Sequence, residues 1–516
     1  MPYFIIFNTL LLLLTILTFI IYLYLTWNYN YWKERNIPFV KPSLIFGNIK
    51  DQILMRKSFS DVFHEIYTNF NDCKYVGFYL WRKPALVIRD PELIKMVWSK
   101  QFSNFYNNAW YLSEKVDPYF SKSPFFENDE KWKELRHQLT PTLSPGRIKS
   151  LFPVFLQGID ELHNFIKKNA INDKNEIDLR DLCSKYTTEV STQAFFGVKA
   201  HAFDNENSDF LNVGKLIFRN SVRSSFESIC MMCDKLFAHY FRVKIVNEKA
   251  FDFFKKLAVE IMEYRKTNNN CQYNDYFEHL LGLRETYKEY EDVNNIARQL
   301  ITVFFDSADT TASGITIAMF QIIRHPEVYK KLRNEIDTIL LKYNGQLTVE
   351  AIQDMNYLDM CISEAFRLNV PLYFSLRDCT VPTEFPMPKE AQTDGSLLVE
   401  PGITIIVPMH EIHRDLKYFN DPDVYDPERF SDERKSTIQK GTYFPFGDGP
   451  RMCLGKNFAI AAVKHFIIAL VQNYDIKFKP NSNYTLTPNV GIMLNVVLFK
   501  QKFMLNFAKR GEFYVE

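Results

Sequence analysis

The sequence predicts a mainly α-helical body with small β-sheets, preceded by a single N-terminal transmembrane helix. Three observations carry that expectation. The chain opens on a long uncharged apolar run, most of residues 50–510 repeat apolar side chains at helical spacing, and β-like stretches are few and short. With 516 residues, 47% apolar and 16% aromatic, the chain can bury a large core. Its 17 glycines are too few for Gly-punctuated propellers or β-solenoids, and 23 prolines do not suggest collagen or disorder. The 62 basic and 61 acidic side chains nearly cancel, so no electrostatic footprint for nucleic acid is present.

From Pro2 to Trp32 no side chain is charged, and Phe4 to Tyr24 is almost wholly apolar. Some twenty residues at ~1.5 Å each cross a ~30 Å hydrocarbon core as a helix. A cleaved leader would have an apolar stretch of only ~7–15 residues and a small-residue cleavage site, and the run shows neither. Trp27, Tyr29, Tyr31 and Trp32 follow at the depth of an aromatic belt, then Lys33, Arg35 and Lys41, a basic flank that predicts a cytosolic body. The expected organisation is an anchor at 3–26, an aromatic and basic flank with a Pro38/Pro42 hinge at 27–49, and a cytosolic domain at 50–516. With that topology the sequon Asn483-Tyr484-Thr485 should carry no glycan.

Helix-period patterns run near 145–170, 180–197, 243–266, 293–323, 326–342 and 455–473, with Pro326 suited to the first position of a new helix. β-like stretches lie at 74–79, 85–88, 403–407 and 492–507. Neither a fixed-period repeat nor a phosphate-binding glycine motif appears, so any redox chemistry must take its electrons from another protein. The eight cysteines are scattered over the whole length, which suits a reducing compartment better than a disulfide scaffold. The CxxC at Cys230 and Cys233 encloses two methionines in an apolar stretch and reads as core packing.

The strongest chemical signal is Phe446-Gly-Asp-Gly449-Pro-Arg451-Met-Cys453-Leu-Gly455, a loop in which two glycines bracket a cysteine just before an apolar helix. Glycines permit positive φ and close approach of backbone amides to the sulfur, and those amides with the helix N-terminus favour a thiolate. A lone stabilised thiolate suits one axial bond to a haem iron with the opposite face open. Five fixed positions over some 500 starts give roughly 10⁻⁴ chance matches.

On these residues the chain resembles the cytochrome P-450 family of haem-thiolate monooxygenases, whose loop reads FxxGxRxCxG. The resemblance implies that Cys453 ligates the iron of haem b (iron protoporphyrin IX), that Arg451 pairs with a haem propionate, and that Phe446 packs beside the sulfur. Glu364-Ala-Phe-Arg367 matches the family's ExxR helix and Pro427-Glu-Arg429-Phe430 its PERF segment, implying a structural Glu364–Arg367–Arg429 cluster. Trp132-Lys-Glu-Leu-Arg136 matches WxxxR, where a spacing of four lets an indole N–H and a guanidinium reach one anion. Arg377 stands where the family often places another propionate-binding arginine.

On the distal side, Asp306-Ser-Ala-Asp309-Thr310-Thr311-Ala-Ser-Gly314 lies midway along a helix of about 30 residues. Mid-helix hydroxyls compete for i−4 carbonyls and can open the ladder. The stretch is similar to the family's AGx(D/E)TT signature, which makes Thr310 the proton-delivering hydroxyl and Asp309 its acidic neighbour. It departs from that signature at Asp306 and Ser307, which replace Ala and Gly. Asp306 stands where related fatty-acid ω-hydroxylases carry a glutamate that esterifies the haem. Three readings stay open for it: a quirk compensated by its surroundings, a selector for cationic or hydrogen-bonding substrates, or a covalent haem link that acid–butanone extraction would exclude.

Tyr106, Trp110, Tyr111, Tyr119, Phe120, Phe125 and Phe126 form, by resemblance, the loop over the haem. Val370–Leu372, Ile492 and Met493 fall in further pocket-lining regions. The expected activity is insertion of one atom of O2 into a lipophilic small molecule (xenobiotic, fatty acid, or terpenoid or hormone). The electrons would come from NADPH through a separate cytochrome P-450 reductase, with cytochrome b5 as a second donor, at the endoplasmic reticulum membrane. Lys456 and Arg136 are candidate docking residues for the reductase, and details of the motifs look most like microsomal insect enzymes of the detoxification type. Two alternatives stand beside it: a haem-thiolate isomerase or dehydratase acting on peroxides without a reductase, and a non-catalytic haem- or lipid-binding membrane protein.

Overall fold

The computed structural model describes residues 2–172, 175–204, 208–217, 221–268, 273–387, 395–486, 499 and 501–511. The helices that place the site are α1 (Pro2–Thr26), α2 (Asp129–Leu139), α3 (Leu179–Phe196), α4 (Asp209–Ile217), α5 (Val222–Cys233), α6 (Lys235–Tyr240), α7 (Glu248–Thr267), α8 (Val293–Arg324), α9 (Pro326–Lys342), α10 (Asn356–Leu368) and α11 (Lys456–Asn473). Against the 32-residue α8, about 48 Å long, pack α3, α7, α9, α10 and α11. Its first turn is capped by the Asp292 carboxylate, which accepts the Asn294 amide. It stops at His325 because Pro326 has no N–H to continue the ladder and takes the first position of α9 instead.

Several expected elements shift for local reasons. The helix expected over 145–170 breaks at Leu151 into Pro145–Ser150 and Phe152–Ile166, since Pro153 cannot donate to the preceding turn. The one expected from 243 begins at Glu248, where the Asn247 side chain accepts the Ala250 amide. The anticipated opening of α8 over Asp306–Gly314 is not found. That stretch is continuous α-helix, and Thr310 Oγ1 donates to the Asp306 carbonyl at 2.5 Å as a second partner of an oxygen with two lone pairs.

Among the described residues nine strands form three small sheets. β1 (Tyr75–Leu80) and β2 (Lys83–Ile88) make a hairpin, β2 pairs in parallel with β7 (Thr404–Val407), and β7 pairs antiparallel with β4 (Ser375–Asp378). β3 (Ile177–Asp178), β9 (Met504–Lys509) and β8 (Tyr474–Phe478) form a second sheet, and β5 (Thr383–Pro386) with β6 (Ser396–Val399) a third. Of the stretch expected at 492–507, residues 492–498 and 500 lie outside the described residues, and with them Ile492 and Met493.

α1 is exposed from Tyr3 to Tyr24 with a mean hydropathy of 2.7, long and apolar enough to cross a membrane. The segment after it is no free hinge. Trp32 is buried with its indole over Gly77, where a Cβ would come within 2.5 Å of the ring, and its Nε1 donates to the Phe78 carbonyl at 3.1 Å. Phe39 bridges to Gly77, and Ile37 and Ile49 are buried. The folded body therefore begins near Tyr31 rather than at residue 50, because the apolar side chains between the prolines gain more from the sheet than from water.

Cys230 and Cys233 are buried on α5 and unpaired, in keeping with core packing; no disulfide links the described cysteines. Two buried histidines predict the acid response. Burial lowers His413 to about 3, helped by His410 and Arg367, and lowers His465 to about 4. Both rings stay neutral in the fold while the unfolded chain takes up protons from about pH 6.5 downward. Stability then falls as pH drops, by about 1.4 kcal/mol per pH unit for each ring, until the folded values are approached. Denaturant unfolding between pH 7 and 4 should show this decline, shallower by about one proton in His465→Phe.

Candidate active site

The loop before α11 is shaped by Gly447 and Gly449, both at φ +72°. A Cβ on Gly449 would lie 1.8 Å from the Trp98 carbonyl oxygen, so no side chain fits. Gly449→Ala should cost about 2–4 kcal/mol and release the bound cofactor, read as a fall in both the thermal midpoint and the haem-to-protein ratio. The loop is closed by Met452 N–H to the Gly449 carbonyl at 3.0 Å and by Cys453 N–H to the Phe446 carbonyl at 2.9 Å. The Phe446 ring meets Phe366 edge-on at 5.9 Å.

Cys453 differs from the other described cysteines: they are buried, whereas its side chain is exposed although protein encloses it. It therefore faces an interior space rather than bulk solvent. Burial pushes its thiol up to about 11, outweighing the Gly455 amide aimed at the sulfur and the charges of Arg136 and Lys456; the Asp306 carboxylate adds to the rise. The Gly455 amide thus acts in the expected direction, toward the thiolate, and burial outweighs it. Gly455 itself keeps φ −82° as the first residue before α11, so of the bracketing pair only Gly449 uses positive φ.

Three arginines gather beside this loop. Arg451 donates to the carbonyls of Tyr106 (2.8 Å), Pro124 (3.1 Å) and Glu127 (2.8 Å), and its guanidinium stacks 4.1 Å over Trp132. Arg136 donates to the Met452 carbonyl at 2.8 Å, so it turns inward and not toward a docking partner. Arg377 donates to the Asn108 side chain and leaves its buried Nε without an acceptor. Burial lowers Arg377 to about 10; burial, then Arg377 and Arg136, lower Arg451 to about 9; burial also lowers Arg136. None of the three is ion-paired among the described residues, unlike Glu364, which binds Arg367 through two bonds of 2.7 and 2.8 Å and Arg429 at 3.3 Å. Enclosed cations that depress one another and own an orphaned donor fit a dianionic ligand. The Trp132 ring also serves the site by stacking against the Arg451 guanidinium.

Opposite lies α8. Asp306 is exposed in its middle, between buried Phe305 and Ser307, and senses the charge of Cys453. Thr310 stands one turn on. Asp309 is brought elsewhere: it is ion-paired with Arg180 at the start of α3 and lines a cavity of about 500 Å³ with Asp181, Lys185, Phe210 and Phe304. Sequence reasoning missed Arg180, 129 residues away with no motif of its own. It also missed Asp117, whose buried carboxylate accepts the amides of Tyr119, Phe120, Ile245 and Val246 at 2.8–3.1 Å and pins the aromatic loop in place. Within that loop Phe120 packs on Phe305 at 4.8 Å, while Tyr119 stacks on Phe251 at 4.0 Å and Tyr111 bonds Lys83 and Asp378, so these two are structural.

One sulfur facing an enclosed space, three guanidiniums without carboxylates beside it, and a long helix across from it would suit a haem held through sulfur. Residues 37–507 match the family model described as cytochrome P-450. Over 481 residues the chain is 32% identical to cytochrome P-450 9e2 of Blattella germanica, covering 87% of this chain and 89% of that protein. Over 457 residues it is 30% identical to probable cytochrome P-450 9f2 of Drosophila melanogaster, covering 85% and 87%. The chain belongs to the cytochrome P-450 family, a family of haem-dependent monooxygenases, and its similarity runs to insect members.

Proposed function

We propose that the chain is a monooxygenase of the endoplasmic reticulum membrane that inserts one atom of O2 into a lipophilic small molecule. Its electrons come from NADPH through a separate reductase, with cytochrome b5 as a second donor, and its cofactor is haem b. The observation that carries this reading is the enclosed Cys453 sulfur facing the Asp306–Thr310 stretch of α8. When bound, haem supplies the one-electron and oxygen chemistry.

The chain's own residues do the rest. Cys453 would ligate the haem iron through its sulfur, with the Gly455 amide aimed at that atom, and Arg136, Arg377 and Arg451 would hold the propionates. Thr310 holds a proton at Oγ1, one bond from the Asp306 carbonyl. Asp309, released from Arg180, carries protons at its carboxylate from the cavity between α3, α4 and α8 toward that hydroxyl. The loop pinned by Asp117 keeps bulk water out, and Phe120 and Phe126 offer apolar surface to the substrate.

Membrane placement is supported by a ladder of rings from the anchor to α6: Tyr24 to Trp81 at 6.4 Å, Trp81 to Phe237 at 4.2 Å and Phe237 to Phe241 at 5.8 Å. Exposed Val222, Leu236, Tyr240 and Phe241 add an apolar patch there. Asn483 is exposed, so an unglycosylated Asn483 in cells is the expected mark of a cytosolic body. The function is tested by reconstitution with reductase: substrate-dependent consumption of NADPH and O2 with an oxygenated product is expected, from a panel of fatty acids, terpenoids and insecticides. Turnover of peroxides without reductase, and no NADPH-dependent product, would overturn it.

A further inference from the structure

Deeply enclosed acids in this fold come with partners. Glu364 has two guanidiniums, Glu411 two imidazoles, Asp117 four amides, Asp475 the Arg333 guanidinium, and Glu189 the amides of Ala200 and Ala202. Asp306 is the exception. Its carboxylate is exposed to the enclosed space that Cys453 faces, and among the described residues no cation is ion-paired with it. Burial alone pushes its carboxyl up to about 7. Among the described residues the only acid–base pair on this part of α8 is Asp309–Arg180, and Asp309 lines the other cavity.

We propose that Asp306 is a specificity-determining residue that retains ligands carrying a cationic nitrogen in the chamber above Cys453, ahead of neutral ligands of similar size. The assignment rests on the reading of that chamber as the substrate site of a haem-thiolate enzyme. A cation there supplies the missing partner for a carboxylate in low dielectric, where one charge pair outweighs what the same pair is worth in water. The rest of the ligand lies on the apolar loop that Phe120 anchors to Phe305. The substrate class is therefore lipophilic amines and ammonium compounds rather than hydrocarbons alone.

The test uses the full-length holoprotein titrated with decyltrimethylammonium, whose quaternary nitrogen cannot ligate iron, and with 1-decanol as the neutral counterpart. Binding is followed by displacement of the Soret band and independently by equilibrium dialysis. Asp306→Asn should weaken the ammonium about tenfold and leave decanol within about twofold, and Asp306→Glu should restore most of the loss. Equal ammonium affinity in the native protein and Asp306→Asn would overturn the assignment. So would haem that stays on the chain in acidic butanone, since the carboxyl would then be an ester. A reduced carbonyl spectrum of each protein separates the two levels of inference. A native spectrum without the thiolate signature withdraws the chamber reading together with Asp306's role, whereas normal spectra with unchanged ammonium binding withdraw only the latter.

Discussion

Cys453→Ala is expected to leave a folded chain with monooxygenase turnover reduced about 10³-fold or more. The sulfur faces open interior space and supports no core packing, so its loss creates no cavity among buried side chains, and the thermal midpoint of the cofactor-free chain should move by no more than about 2 °C. What disappears is the single soft axial ligand. The three arginines remain, so the variant should still take up some haem, with an altered spectrum. Absorbance and turnover on the same preparation measure both halves of the prediction.

Glu364→Ala is expected to act in the opposite way, on folding rather than on chemistry. Glu364 and Arg367 are 0% exposed, and Arg367 also donates to the carbonyls of His413, Pro422 and Val424 at 2.8–3.2 Å. Removing the carboxylate leaves Arg367 and Arg429 as uncompensated buried charges, at a cost of about 3–5 kcal/mol. That is a large share of the roughly 5–15 kcal/mol that holds a typical domain together. The variant should give little protease-resistant protein and no haem-loaded fraction. Arg367→Lys should fail similarly, because an ammonium cannot make both bonds to Glu364 and reach the three carbonyls.

Much of this was legible in the chain. The cysteine loop could be read because its residue types answer to backbone geometry: Gly449 meets the Trp98 carbonyl and tolerates nothing larger. Helix ends could be read where a proline or a capping side chain acts locally, as at Pro326 and Asp292. Contacts across sequence were not legible. Nothing near Asp309 announces Arg180, so the acid expected beside Thr310 is found in an ion pair facing another cavity. The same blindness made residues 31–49 look like a hinge, since Pro38 and Pro42 speak locally while Trp32 settles on Gly77, 45 residues further along. Gly77 within a strand pattern was the available sign of that close approach. The Cys453 sulfur shows a related limit: the loop's amides act locally toward a thiolate, while burial by the whole fold acts the other way.

One bond, from the Cys453 sulfur to a haem iron, would hold the cofactor in place. Carbon monoxide added to the dithionite-reduced native protein tests it most directly. A Soret band displaced to the long wavelength of a thiolate trans ligand, and lost in Cys453→Ala, is the predicted result. A band at the shorter wavelength of histidine ligation in the freshly prepared native protein, or a spectrum indifferent to the substitution, would contradict it.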